Sequence, residues 1–198
     1  MRHLMTRTLL ALSAAISLAG CISFGAEPPP VLLTLTATAR VAPGATLSAD
    51  PGKAVTVLVP RVSQALATNR VPVQASPTSI AYVKDAQWVE TPNRLFQQLL
   101  SETIESQTGR QVLSPRQYSM DPGIRISGQL TRFGVDAASR SAVVTYDAAI
   151  ARSEGAAVET RRFEARVPVS RIEADSVAAG LNEAANQVAA EVAGWIGR

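Results

Sequence analysis

The sequence has a single cysteine and a single histidine in 198 residues, Cys21 and His3, both close to its start. Beyond Cys21 there is no thiol and no imidazole. This excludes an internal disulfide, a Ser-His or Cys-His nucleophile pair and a histidine metal ligand from the rest of the chain. A zinc site would need carboxylates alone, against that metal's preference for sulfur and nitrogen. Charge is also scarce: 18% of residues are charged, and setting aside Arg2 and Arg7 leaves 17 basic groups against 16 acidic ones. That balance points to neither nucleic acid nor an acidic partner. A long apolar run is missing too, since the one from Leu9 to Ala19 is about half of what a bilayer-spanning helix needs. What remains is an ordinary globular composition, 46% apolar, in a chain long enough for one domain with a real core.

The N-terminus has a layout of its own. Arg2, His3 and Arg7 precede the apolar run, and small residues follow it, as in a secretory signal peptide. Leu18, Ala19, Gly20 and Cys21 resemble the bacterial lipobox, in which the cysteine thiol receives a diacylglycerol and becomes the new N-terminus after cleavage. A free cysteine is commonly a small buried hydrophobe, but Cys21 is followed by Ile22, Ser23, Phe24 and Gly25 and then by Pro28 to Pro30, which offers no core to bury it in. The expected organisation is a lipoprotein signal peptide over 1–20, a lipidated tether over 21–30 carrying a diacylglyceryl cysteine with palmitate among its acyl groups, and a folded domain over 31–198.

Within that domain "VLLTLTATARV" (Val31 to Val41) and "AVTVLVP" (Ala54 to Pro60) are β-branched, partly alternating and separated by turn residues, so both read as strands. A proline-punctuated connection from Arg61 to Pro77 leads to a short strand near Thr78 to Lys84. From Asp85 to Gln107 the spacing is helical, with Trp88, Leu95, Leu99 and Thr103 in one row, Thr91 as cap, Pro92 near the start and Gly109 at the end. Three strands follow, Gly123 to Val135, Ser141 to Ala151 and Ala157 to Ser170, joined by short polar links suited to an antiparallel meander. A terminal helix then carries Val177, Leu181, Ala184, Val188, Val192 and Trp195 at steps of three and four, capped by Asp175 or Ser176. The fold class is α+β, a mainly antiparallel sheet with two amphipathic helices on one face, in a single domain.

Chemistry-bearing groups are few. Glu102 with Glu105, and Glu159 with Glu164, are acid pairs whose bland reading is a solvated face. The segment Ser114 to Gly123 lacks a phosphate-cradling glycine pattern and reads as a loop. Arg161, Arg162 and Arg166 suit phosphate geometrically, but alternation puts Arg162, Glu164 and Arg166 on one face of mixed sign, which favours cross-strand pairing. Trp88 and Trp195 stand at apolar positions and read as core. No catalytic, cofactor-binding or metal residue is assigned, no cofactor is expected, and the protein is not expected to be an enzyme.

At "WVETPNRLFQQLLSETIES" and at "RRFEARVPV" with "AAGLNEAANQVAAEVAGWI" the chain resembles the ABC-type transport auxiliary lipoproteins of Gram-negative bacteria. The likeness includes the strand ending in Pro60, the tyrosine strand from Ile80 to Val83 and "LTRF" from Leu130 to Phe133. Gln87 stands where that family often has an arginine before the tryptophan. The resemblance implies a lipid-anchored docking or assembly component of an ABC/MCE-type system in phospholipid traffic. Its expected partners are the membrane, MCE-type and ABC transporter components and, as an open alternative, further copies of itself; nucleic acid is not among them. Ile22, rather than the aspartate of an inner-membrane retention signal, favours the periplasmic face of the outer membrane. The alternative is an envelope lipoprotein that binds lipid or glycan directly, for which an open apolar groove is the discriminating feature.

Overall fold

The computed structural model describes residues 31–46, 52–114, 123–152 and 157–197. The expected signal peptide, Cys21 and the tether lie outside the described residues, as does 115–122 within the loop. Among the described residues the elements are β1 (Val55–Val57), β2 (Arg61–Val62), β3 (Arg70–Ser76), β4 (Ser79–Gln87), α1 (Pro92–Thr108), β5 (Ile124–Asp136), β6 (Ser141–Ala151), β7 (Glu159–Pro168) and α2 (Ala174–Ile196). They form a single α+β domain built on one mixed sheet.

The meander is present as expected, β6 pairing antiparallel with β5 on one side and β7 on the other. Period-two alternation decides the faces. On β7, Phe163, Ala165 and Val167 are buried while Arg162, Glu164 and Arg166 stay exposed. An irregularity between Leu130 and Arg132 rephases β5, so that Ile124, Ile126 and Leu130, and beyond it Phe133 and Val135, all reach the core.

The other edge of β5 corrects the expectation in detail. There β1, β2 and β3 succeed one another, each parallel to β5, and β4 adds antiparallel outside β3. The stretch expected as a connection from Arg61 to Pro77 therefore holds two strands. Pro72 lies inside β3, but pairing to β5 begins only at Val73, so the missing proline N–H falls before that ladder.

Residues 31–41 are extended but form no strand. Leu33 and Ala37 are buried, as alternation requires, yet contact with the sheet is one bridge from Leu33 to Trp88. The backbone is held by α2 instead. The Asn182 Oδ1 accepts the Thr36 N–H at 2.8 Å, the Asn186 Oδ1 accepts the Thr38 N–H at 2.8 Å, and the Asn186 amide donates to the Thr36 carbonyl at 3.0 Å. Two amides four residues apart on a helix thus replace a neighbouring strand, satisfying backbone groups that burial would otherwise penalise.

Helix α1 begins at Pro92 with Thr91 in the cap position, although the Thr91 hydroxyl makes no cap bond, and it ends on left-handed Gly109 at φ 65°. Asp85 to Gln87, expected in this helix, close β4 instead, and Trp88 follows the strand. Glu173, rather than Asp175 or Ser176, holds the cap position of helix α2, without a side-chain cap bond; the Ser176 hydroxyl is hydrogen-bonded with that of Ser170. Both helices share the inner face. Phe96 of α1 meets Tyr146 of β6 edge-on at 5.2 Å, and Trp195 of α2 packs on Phe163 of β7 at 5.5 Å. Trp88 meets Phe133 at 5.6 Å, so both tryptophans are packing residues. Among the described residues no helix is long and apolar enough to cross a membrane.

Candidate functional site

The face of the sheet turned away from the helices carries the chemistry. Register puts Asp147 of β6 directly opposite Arg162 of β7, and the guanidinium donates to both carboxylate oxygens, at 2.6 and 2.8 Å. Thr145, two residues earlier, is opposite Glu164, to which its hydroxyl donates at 2.7 Å. Glu164 also accepts from the Arg166 Nε at 2.8 Å, and Arg132 binds Asp136 at 3.0 Å. The cross-strand pairing expected of Arg162, Glu164 and Arg166 is thus what the sheet contains. Each group has a neighbour of opposite sign, and Val143 and Thr145 are buried beneath this layer.

Three carboxyls in it are held below the usual carboxylate range. For Asp147 the main cause is the hydrogen bond from Arg162, for Glu164 the bond from Thr145, and for Asp136 the backbone N–H of Ser139 followed by Arg132. A carboxyl whose folded pKa is depressed adds stability above its unfolded pKa of about 4 and loses it as pH falls through the lower folded value. The melting temperature is therefore expected to fall as pH drops below about 4, and more shallowly in Asp147→Asn. A melting temperature unchanged between neutral pH and pH 2 contradicts the assignment.

The remaining acids of the two pairs are also occupied. Glu102 lies 4.0 Å from Arg40, Glu105 accepts the Val112 N–H at 2.9 Å, and Glu159 pairs with Arg152 at 3.3 Å. Neither acid pair converges on a shared opening. Among the described residues no group of three or more His, Cys, Asp or Glu side chains could hold a metal. Burial raises the Tyr146 phenol far above its ordinary range, and its hydroxyl donates to the Ser127 carbonyl at 3.1 Å, a packing role.

A feature that sequence reading missed lies beside Asp147 and Arg162. Between β1 and β2 the chain bulges away from β5, and this bulge faces β7 across an open depression of about 760 Å³. Leu58, Val59 and Arg61 form one side, Thr160, Arg161 and Arg162 the other. Gly128 lies in its floor, where a β-carbon would overlap the Asp147 carbonyl.

The family model of the ABC-type transport auxiliary lipoprotein component matches residues 33–193. The chain belongs to this family. The family is one of transport auxiliary components. The fold of this auxiliary lipoprotein is also that of protein XCC0632 from Xanthomonas campestris, a crystal structure of family DUF330, at a TM-score of 0.69 and 18% identity over 83% of this chain and 94% of that one. A crystal structure of an uncharacterized protein is similar at a TM-score of 0.64 and 16% identity, covering 77% of this chain and 96% of the other. At such identities the likeness is one of fold. No curated protein matches the chain.

Proposed function

We propose that this auxiliary lipoprotein, anchored through a lipidated Cys21 at the periplasmic face of the outer membrane, serves as a docking or assembly component for the ABC and MCE-type parts of a phospholipid transport system. The observation that carries the reading is the filling of the space between helices and sheet. Trp88, Phe96, Phe133, Tyr146, Phe163 and Leu181 are all fully buried there, so the face with most apolar surface is spent on the protein's own packing. What the domain offers outward is a patterned charged sheet face. Such a face steers association and sets partner choice more than it holds hydrocarbon.

The test is partner capture from gently solubilised envelopes, paired with detergent sensitivity of cells. Arg162→Glu and Arg166→Glu, combined with Arg125→Glu at an exposed position of β5, are expected to abolish capture and raise sensitivity while the domain stays folded, because exposed ion pairs contribute only about 0–1 kcal/mol each. Neutralising Glu102 or Glu159 singly should change neither. Undiminished capture by the triple variant contradicts docking through this face. Sensitivity arising from one acidic substitution, with folding and capture intact, would point to catalysis.

A further inference from the structure

We infer that the free edge of β7 is a self-association surface, along which a second copy of this chain pairs its own β7 antiparallel about a two-fold axis at Phe163. This goes beyond the docking reading and stands without it.

The sheet ends on two edges, β4 and β7. They differ in regularity. The β4 ladder shifts register between Arg70 and Pro72 and again between Gln74 and Ser76, and Asp85 stands at φ 54°, irregularities of the kind that keep a foreign strand off an edge. The ten residues of β7 pair with β6 in one unbroken register. Just past the strand's end, the Val169 N–H donates to the Arg140 carbonyl at 2.9 Å, in the same register. Hydrogen-bonded and non-bonded pairs alternate along an antiparallel ladder, so Phe163, Ala165 and Val167 turn their backbone groups to β6, while Thr160, Arg162, Glu164 and Arg166 turn theirs outward. Among the described residues no protein acceptor meets those four N–H groups. Pro168, next in that row, has no N–H to leave unpaired.

The occupant follows from charge. Only registers that set outward-turned residues opposite one another close the bonds, and about the middle of the strand the two-fold axis then falls at Phe163, Glu164 or Ala165. An axis at Glu164 sets Glu164 against its own copy and Arg162 against Arg166. An axis at Ala165 sets Pro168 opposite Arg162 and forfeits a bond at each end. An axis at Phe163 sets Arg162 opposite Glu164 twice and Thr160 opposite Arg166 twice, so that all four outward N–H groups of each copy meet a carbonyl. Opposite charges facing each other across strands stabilise the pair, and like charges destabilise it. The groups have capacity to spare: Arg162 engages Asp147 through Nε and Nη2, leaving Nη1, and Glu164 holds only Thr145 and Arg166. On the inner face Arg161, its guanidinium carbon 4.9 Å from the Phe163 ring, comes opposite Ala165, whose small side chain leaves it room. The edge is thus complementary to its own reverse, the condition for an isologous contact.

The protein, purified in a non-ionic detergent with micelles in excess over protein, is weighed by native mass spectrometry across a concentration series. A dimer is expected, weakened about tenfold by Arg162→Glu or by Glu164→Arg, since each reversal sets like charges opposite each other twice. The two reversals combined restore opposite signs and should return the dimer to the parent's strength, a rescue that damage to the fold would not give. Lys84→Glu, on the β4 edge, should change nothing. Register is read by mixing Arg162→Cys with Glu164→Cys under mild oxidation, with the parent as background. Facing hydrogen-bonded residues lie about 5.5 Å apart at Cα, within disulfide reach, so the mixed disulfide should exceed either self-disulfide. A protein still monomeric at about 100 μM, a dimer indifferent to both reversals, one abolished by Lys84→Glu, or a self-disulfide of Glu164→Cys as the main product overturns the proposal.

Discussion

Leu181→Asp is expected to leave no cooperatively folded domain. Leu181 is fully buried at the centre of the α2 stripe, between Val177 and Val188, where the helix lies on β6 and β7. The approach is close: a β-carbon on neighbouring Gly180 would come within 3.0 Å of Ala142 and 2.8 Å of Val169. No water reaches an aspartate there and no cation is placed to meet it. An unpaired buried charge costs on the order of several kcal/mol, and removal of the leucine side chain adds about 2–5 kcal/mol. The whole domain's stability is of the order of 5–15 kcal/mol, so the sum consumes most or all of it. With no disulfide to hold the chain, nothing compensates. Leu181→Ala should still fold, with its midpoint in urea lowered by the cavity term alone, while Glu183→Ala on the exposed side of the helix should melt like the parent. Circular dichroism with urea titration reads all three; a wild-type midpoint for Leu181→Asp would mean that the stripe faces elsewhere.

The elements legible from the chain were those whose pattern is local. Alternation in "ETRRFEARVP" gives β7 its two faces without knowledge of its neighbours, and the three-and-four spacing of Val177, Leu181, Ala184, Val188 and Val192 needs only the helix itself. Failure came where the partner is distant. The 31–41 segment alternates like a strand because Leu33 and Ala37 are buried and Leu35 between them partly so, but its backbone partners are Asn182 and Asn186, about 150 positions on, and nothing local distinguishes a helix amide from a strand. β3 was masked by Pro72 and Pro77, which mark turns in most settings but here fall outside the ladder to β5. The strand read over Ala54 to Pro60 holds β1, but β2 has only two residues, too few to show any period, and nothing local says that either strand lies parallel to β5.

The charged face shows the same division. That Arg162, Glu164 and Arg166 share a face follows from spacing, whereas the pairing of Arg162 with Asp147 needs the β6–β7 register. The depression needs still more. Arg61 opens the two-residue strand β2 and Arg162 lies on β7 at the far edge, and no local signal links them. Gly128 was the one available hint, a glycine interrupting a strand pattern, which commonly marks a close backbone approach.

Cys21→Ala is expected to release the protein from the membrane fraction or to leave it as an uncleaved precursor. Each buried methylene contributes about 0.8 kcal/mol, so a single acyl chain binds a bilayer marginally and two or more bind it stably. A diacylglyceryl group on Cys21 would pass that threshold by itself. Among the described residues no helix spans a membrane, and 17 basic against 16 acidic groups beyond the leader leave no polybasic segment to add electrostatic attraction. Anchoring should therefore be all or none with respect to this thiol. Membrane fractionation and the mass of the mature N-terminus measure it, and unchanged fractionation with normal processing would contradict the lipid anchor. The same variant separates anchoring from docking. On the proposed anchor, the ten residues from Cys21 to Pro30 could span at most about 35 Å when fully extended. The released domain should still capture partners from detergent extract, at the strength of the anchored protein, while cells carrying it become detergent-sensitive because domain and partners no longer share one surface.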